Sequence, residues 1–259
     1  MKIICAGLYK TGTKSIAKAL RQLGFTVYDW EEQTFDFLDH WCDVLQNGAQ
    51  PDVKRVYQNA DAFVDLPGNL FWEEILEAFP DCKVILSERD EDSWLQSWVN
   101  QMKMYESNRF QTILRAMLSQ TTKKFLVIVY SCVQASLGSM NPKSTCVFRK
   151  RYGMHNNRVK SIVPPEKLLV YNVKQGWRPL CDFLGWRFQH LPFHINNVKK
   201  LLEIQNNKTR ALKASVFLWR EIQKEKVVLI GGLMVVFAVV VLDWLILLSS
   251  YLVNEIRLQ

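Results

Sequence analysis

Residues 2–15 constrain the fold of this chain more than any other stretch. KIICAG, at 2–7, is a short apolar run that reads as a buried strand. It passes through a turn at Leu8–Gly12 into a segment whose apolar residues Ile16, Ala17, Leu20 and Leu23 recur at helical spacing, up to a stop at Gly24. Strand, glycine-bearing turn and helix in that order form the layout of an anion cradle. The first N–H groups of the helix have no partner within it, and the helix dipole favours negative charge there.

The alternation continues along the chain. FTVYD at 25–29, AFVD at 62–65, KVILSE at 83–88 and KLLVYN at 167–172 read as further short strands. Helices are expected at about 13–23, 33–46, 52–60, from an Asn69 cap to about 78, at 91–104, and at about 176–184, closed by Gly185. Strands alternating with helices predict an α/β fold, a parallel sheet with helices on both faces. Residues 105–165 read as mostly helical, in no order that the sequence fixes. The 14-residue apolar run Phe125–Gly138 is too short to span a bilayer and fits a buried or interfacial helix.

A longer apolar run, Val227–Val253, has 27 residues and one charged group, Asp243. It is long enough to cross a bilayer as a tilted helix, with Asp243 facing a partner or a polar cavity. Between Lys199 and Lys226 stand eight basic residues and three acidic ones, whereas beyond the run there is one Arg257 and one Glu255. Positive charge stays on the cytosolic side. The expectation is a single-pass C-terminal anchor with the large N-terminal domain in the cytosol, its basic linker lying against anionic lipid. The N-terminus lacks the pattern of a secretory signal. The net charge of +8 suits an anionic ligand, lipid or nucleic acid, but the basic linker accounts for much of it. Nucleic acid is therefore not an expected partner. The six cysteines are scattered, with no C-x-x-C pair and no zinc-spaced histidines, and read as buried thiols in a reducing compartment.

Gly7-x-x-x-x-Gly12 is close to the phosphate loop of nucleoside-triphosphate enzymes, but Lys14 falls one residue late and a second lysine, Lys10, stands inside the loop. Lys10-Thr11-Gly12-Thr13 directly after a first strand instead resembles the 5′-phosphosulfate loop of sulfotransferases, which use 3′-phosphoadenosine 5′-phosphosulfate (PAPS) as donor. In that superfamily a strand ends in Arg, and a Ser follows eight residues on. Here KVILSE leads into Arg89, and Ser97 stands at that spacing. Cytosolic members carry a His-Leu-Pro turn after the third strand. Here Asp65-Leu66-Pro67 stands there, so Asp65 takes the base position. LLVYNVKQGWRPLCDFLG, with Pro192-Phe193 and Asn196 later, resembles a poorly characterised branch of the superfamily. The resemblance covers about 1–197. It implies a three-layer, P-loop-type parallel sheet over 1–197; the basic linker at 198–226, the transmembrane helix at 227–253 and the short tail at 254–259 lie outside it and follow from the hydrophobic and charge pattern alone. Three departures stand out: Glu91 where proline is common, Glu88 beside the 3′-phosphate position, and Asn157 where relatives often carry Glu.

The resemblance implies transfer of a sulfuryl group from PAPS to an acceptor hydroxyl or amine, without a required metal; joined to the apolar run at 227–253, the expectation is a membrane-tethered enzyme. Lys10 then sits on the bridging oxygen as charge develops. Thr11, Gly12 and Thr13 hold the 5′-phosphosulfate through N–H groups and hydroxyls, with a further contact from Lys14 or Ser15. Arg89, as a forked donor, and Ser97 fix the 3′-phosphate. Asp65 is the general base. Arg149-Lys150-Arg151 reads as a solvated basic turn, His155 as a structural hydrogen-bonding residue, and Trp94, Trp98, Trp177 and Trp186 as core. Two alternatives remain open, a degenerate scaffold and a nucleotide-dependent kinase-like enzyme. No G-x-G-x-x-G follows the first strand, which argues against a dinucleotide oxidoreductase.

Overall fold

The computed structural model describes residues 1–186. The chain runs β1 (Ile3–Cys5), α1 (Thr13–Gln22), β2 (Val27–Tyr28), α2 (Trp30–Phe35), α3 (Leu38–Asn47), α4 (Val53–Tyr57), β3 (Ala62–Val64), α5 (Trp72–Ala78) and β4 (Lys83–Ser87). It continues through α6 (Glu91–Ser107), α7 (Arg109–Leu118), α8 (Gln120–Leu137), α9 (Thr145–Ile162), β5 (Leu168–Tyr171) and α10 (Trp177–Leu184). The five strands form one parallel sheet in the order β2-β3-β1-β4-β5.

Side chains alternate across each strand, and this divides the core in two. Ile4, Phe63, Val84 and Leu86 face Trp41 of α3, Val56 and Tyr57 of α4, Ile75 of α5 and Ile128 of α8. Ile3, Cys5, Ala62, Val64 and Ile85 face Ile16, Ala17 and Leu20 of α1 and Leu180 and Cys181 of α10. Strands covered on both sides must be apolar throughout, which is why β1 is buried along its whole length. The expected three layers, α/β/α, are present.

The register sets the functional edge. Cys5 lies beside Val64 on one side and Ile85 on the other. Gly7, Asp65 and Arg89, each just past its strand, therefore leave the sheet at the same end. In open parallel sheets the carboxyl ends of strands at a change in strand order form the ligand crevice. Here β1 is central, with β3 and β4 as its neighbours.

Several boundaries differ from expectation. The helix expected over 33–46 starts at Trp30 and breaks near Asp36–Phe37 into α2 and α3. Its start is fixed by a capping box, Asp29 with Glu32. Asn69 does not cap α5, which begins at Trp72 after a series of turns. Its amide instead donates to Gly7 O at 3.5 Å. The middle segment 105–165 is mostly helical, as the end of α6 and α7, α8 and α9, with a non-helical connection at 138–144. The apolar run Phe125–Gly138 is the body of α8, with Ile128, Cys132, Val133 and Leu137 buried. A third apolar cluster joins Leu8 and Tyr9 of the loop to Trp94 and Trp98 of α6 and Phe148 of α9. Cys146 is exposed, against expectation, while the other five cysteines are buried free thiols. No helix among the described residues is long and apolar enough to cross a membrane. The Val227–Val253 run and its basic linker lie outside the described residues.

Candidate active site

The loop after β1 is shaped by two glycines. A Cβ on Gly7 would run into the Ser87 side chain and lie 2.8 Å from both Ser87 N and O, so only glycine lets β1 exit this close to β4. Gly12 caps α1 at φ 103°, and a Cβ there would lie 2.6 Å from Val173 Cγ1. Between them the Thr11 hydroxyl donates to Leu8 O at 2.6 Å and bonds Ser87 Oγ at 2.5 Å, closing the loop on itself. The N–H groups of Ser15 and Ile16 turn back to Gly12 O at 2.9 and 3.1 Å. Those of Thr11, Gly12, Thr13 and Lys14 donate to no acceptor among the described residues. Four such donors in succession at the positive end of a helix dipole suit a multiply charged anion.

Among the described residues only Lys10 and Asp65 combine a side chain with positive φ, at 66° and 77°. Such backbone is disfavoured for both residue types and survives where surrounding structure imposes it. These are also the two residues that the sequence singles out for chemistry. The Asp65 carboxylate accepts from Thr13 Oγ1 at 2.8 Å and from Leu66 N at 2.9 Å. Burial pushes this carboxyl up from the usual range and the Asp29 charge adds to the rise, while Lys14 and the two hydrogen bonds oppose it. The Lys10 ammonium donates to Gln101 Oε1 at 3.3 Å.

Arg89 reaches from the end of β4 to the loop, its Nη1 donating to Lys10 O at 3.3 Å. Its backbone is clamped by Tyr152 of α9, which accepts from Arg89 N at 3.0 Å and donates to Arg89 O at 2.9 Å. Ser97 lies on α6, half-buried, and its hydroxyl has no partner among the described residues. Glu88 is turned away by Lys160 at 2.8 Å and by Asn156 at 3.2 Å, so its charge is neutralised on the α9 side.

Other expected contacts are already engaged. Both threonine hydroxyls are donated within the protein, which leaves the backbone as the main donor set. Lys14 pairs with Asp29 at 2.8 Å and Glu31 at 3.0 Å, beneath the ring of Trp30. Ser15 is buried in the first turn of α1. Arg149 bonds Glu91 and Asp92, and the triplet it begins lies within helix α9 rather than in a turn. His155 Nε2 bonds Ala6 O at 2.7 Å, a structural role. Trp94, Trp98 and Trp177 are core, whereas Trp186 is partly exposed, edge-on to Phe25. Ser87, Gln101, Tyr152 and Val173 complete the site and were not read from the sequence. Gln101 and Tyr152 come from distant elements with no local signal; Ser87 stands two residues before Arg89 in KVILSE and Val173 lies within LLVYNVKQGW, so for these two it is the contact with the loop that local pattern does not encode.

The sequence model of the sulfotransferase domain family matches residues 2–201. The chain is also similar to the Ava biosynthesis cluster protein M of Aspergillus versicolor. The two are 27% identical over 218 residues, covering 77% of this chain and 84% of that protein.

Proposed function

The chain belongs to the sulfotransferase domain family, and from that premise we propose that it transfers a sulfuryl group from PAPS to an acceptor hydroxyl or amine while anchored to a membrane by 227–253. The observation that carries this reading is the row of N–H groups on Thr11, Gly12, Thr13 and Lys14 that have no acceptor among the described residues, flanked by Lys10 and Arg89. The donor set fits a phosphosulfate: backbone dipoles and cations, with Glu88 held on the α9 side and the Asp65 carboxylate engaged by Thr13 and Leu66.

PAPS supplies the electrophilic sulfuryl group and a phosphate leaving group. The loop N–H groups hold the 5′ end, and Ser15 packs the helix turn beneath them. Lys10 neutralises charge that develops on the leaving oxygen. Lys14, fixed by Asp29 and Glu31, contributes a positive charge behind the loop. Arg89 and Ser97 hold the 3′-phosphate with the donors that they leave free. Asp65 accepts the acceptor proton, and its raised pKa makes it a stronger base once ionised. The backbone strain at Lys10 and Asp65 keeps both groups pointed before the acceptor arrives.

The test is transfer of radiosulfur from labelled PAPS to a membrane extract by the full-length chain in detergent. Label incorporation that is lost in Lys10→Ala and in Asp65→Asn supports the reading. A chain that binds the desulfated cofactor PAP but transfers no label to any extract fraction is the degenerate scaffold. Nucleotide-dependent phosphorylation in its place supports the kinase-like alternative.

A further inference from the structure

Helix α7 presents its apolar stripe the wrong way for a globular domain. Phe110, Ile113 and Met117 are spaced three and four residues apart and so share one face. They are 80%, 48% and 78% exposed. A surface helix ordinarily turns such a stripe toward the core. Met104 and Tyr105, at the end of α6, are exposed beside the start of α7 and extend the patch.

Charge separates this region from the rest of the domain. Residues 1–186 carry 23 basic and 20 acidic side chains, whereas 103–124 alone carries five basic and one acidic. The excess on this one hairpin is larger than that of the whole described domain, and the remainder is slightly acidic. Lys103, Arg109 and Lys123 are exposed around the stripe, while Lys124 is paired with Asp39.

We propose that α7 docks on an anionic bilayer surface, with Phe110, Ile113 and Met117 entering the headgroup–acyl boundary and Lys103, Arg109 and Lys123 meeting lipid phosphates. Charge decides among the occupants. A second copy would bring two positive faces together. The chain's own 198–226 linker is itself basic, with eight basic residues against three acidic between Lys199 and Lys226, and would be repelled. An anionic lipid surface complements both the stripe and its rim. The 27-residue apolar run at 227–253, read above as a membrane anchor, supplies such a surface near the domain. Docking in this way turns the C-terminal half of α6, which carries Gln101 beside Lys10, toward the lipid. An acceptor hydroxyl on a membrane-resident amphiphile then has the shortest path to Asp65.

The test is amide hydrogen exchange of the full-length chain in detergent, in phosphatidylcholine vesicles, and in vesicles that also contain phosphatidylserine. The expected result is slower exchange over 109–118 in phosphatidylserine vesicles than in the other two, on the order of tenfold. The slowing is lost in a Phe110→Asp, Met117→Asp double variant, with α1 and α5 unchanged. Lys123→Glu, at an exposed polar position, gives the same loss by charge alone. Equal exchange in both kinds of vesicle overturns the proposal. So does slowing already present in detergent, whether it depends on protein concentration (a second copy) or not (the chain's own tail). Resistance to alkaline extraction, measured on the same vesicles, reports insertion of 227–253 separately, so failure of the anchor and failure of the docking face are distinguishable.

Discussion

Replacing Gly12 by alanine tests how the cradle is built. The substitution meets two separate obstacles. The first is conformational: φ is 103°, and holding an L-residue in left-handed backbone costs about 1–2 kcal/mol. The second is steric: the new methyl lies 2.6 and 2.9 Å from the two γ carbons of Val173 and 3.3 Å from its Cβ, and overpacking of this kind costs about 1–3 kcal/mol. Together they remove about 2–5 kcal/mol from a domain whose total stability is about 5–15 kcal/mol. Val173→Ala deletes both γ carbons and leaves the 3.3 Å contact, so it relieves the steric part alone. The double variant is then less destabilised than the two singles added together, by about 1–3 kcal/mol, the size of the clash. Urea unfolding of the full-length chain in detergent, followed by tryptophan fluorescence, measures all four corners of the cycle. If Gly12→Ala costs under about 0.5 kcal/mol, or if the two changes simply add, then Val173 does not close on the loop as described.

Asp65→Asn should lower sulfuryl transfer by about 10²–10⁴, the ordinary worth of a general base. It should also raise thermal stability at neutral pH. Burial raises the folded-state pKa of Asp65, so the ionised form destabilises the fold as pH climbs above the ordinary carboxylate value of about 3.9. The melting-temperature gain of the variant should therefore shrink toward acid pH, and an unchanged gain across pH would show that the carboxylate carries no burial penalty. Lys14→Ala should destabilise the chain by about 1–3 kcal/mol, because Asp29 is buried and loses its closest cation. Urea unfolding reads that loss, and calorimetry should show PAP affinity falling less than in Lys10→Ala. Ser97→Ala should leave unliganded stability unchanged, since its hydroxyl has no partner among the described residues, and should weaken PAP binding by about 0.5–1.5 kcal/mol, the net worth of one hydrogen bond.

The sequence showed the sheet because its strands are apolar throughout and its helices are periodic. KIICAG and KVILS can only be buried on both faces, and the strand–turn–helix grammar did the rest. The start of α2 was also legible, as Asp29-x-x-Glu32, but the hydrophobic period drew the helix three residues late. Asn69 misled because a good capping residue is also a good buried amide, and only the neighbouring Gly7 carbonyl decides between the two roles. In the site, Lys10, Asp65 and Arg89 stand beside strand ends and so could be placed by pattern. The partners that orient them could not. Gln101 is 91 residues from Lys10 and Tyr152 is 63 from Arg89, and no local spacing encodes such contacts. The hydroxyls of Thr11 and Thr13 looked available in sequence, yet folding turns one toward Leu8 O and Ser87 and the other toward Asp65.

The central claim is that four loop N–H groups, Lys10 and Arg89 form a site for the phosphosulfate end and the 3′-phosphate of PAPS. The most direct measurement is the thermal shift of the full-length chain with PAP, set against ATP and NAD at equal concentration. A ligand that binds only the folded state raises stability by RT ln(1 + [L]/Kd), about 2.7 kcal/mol at a hundredfold excess over Kd. The account predicts a rise with PAP alone, lost in Lys10→Ala and in Arg89→Ala. A rise with ATP that Arg89→Ala leaves intact, or no response to any of the three, would contradict it.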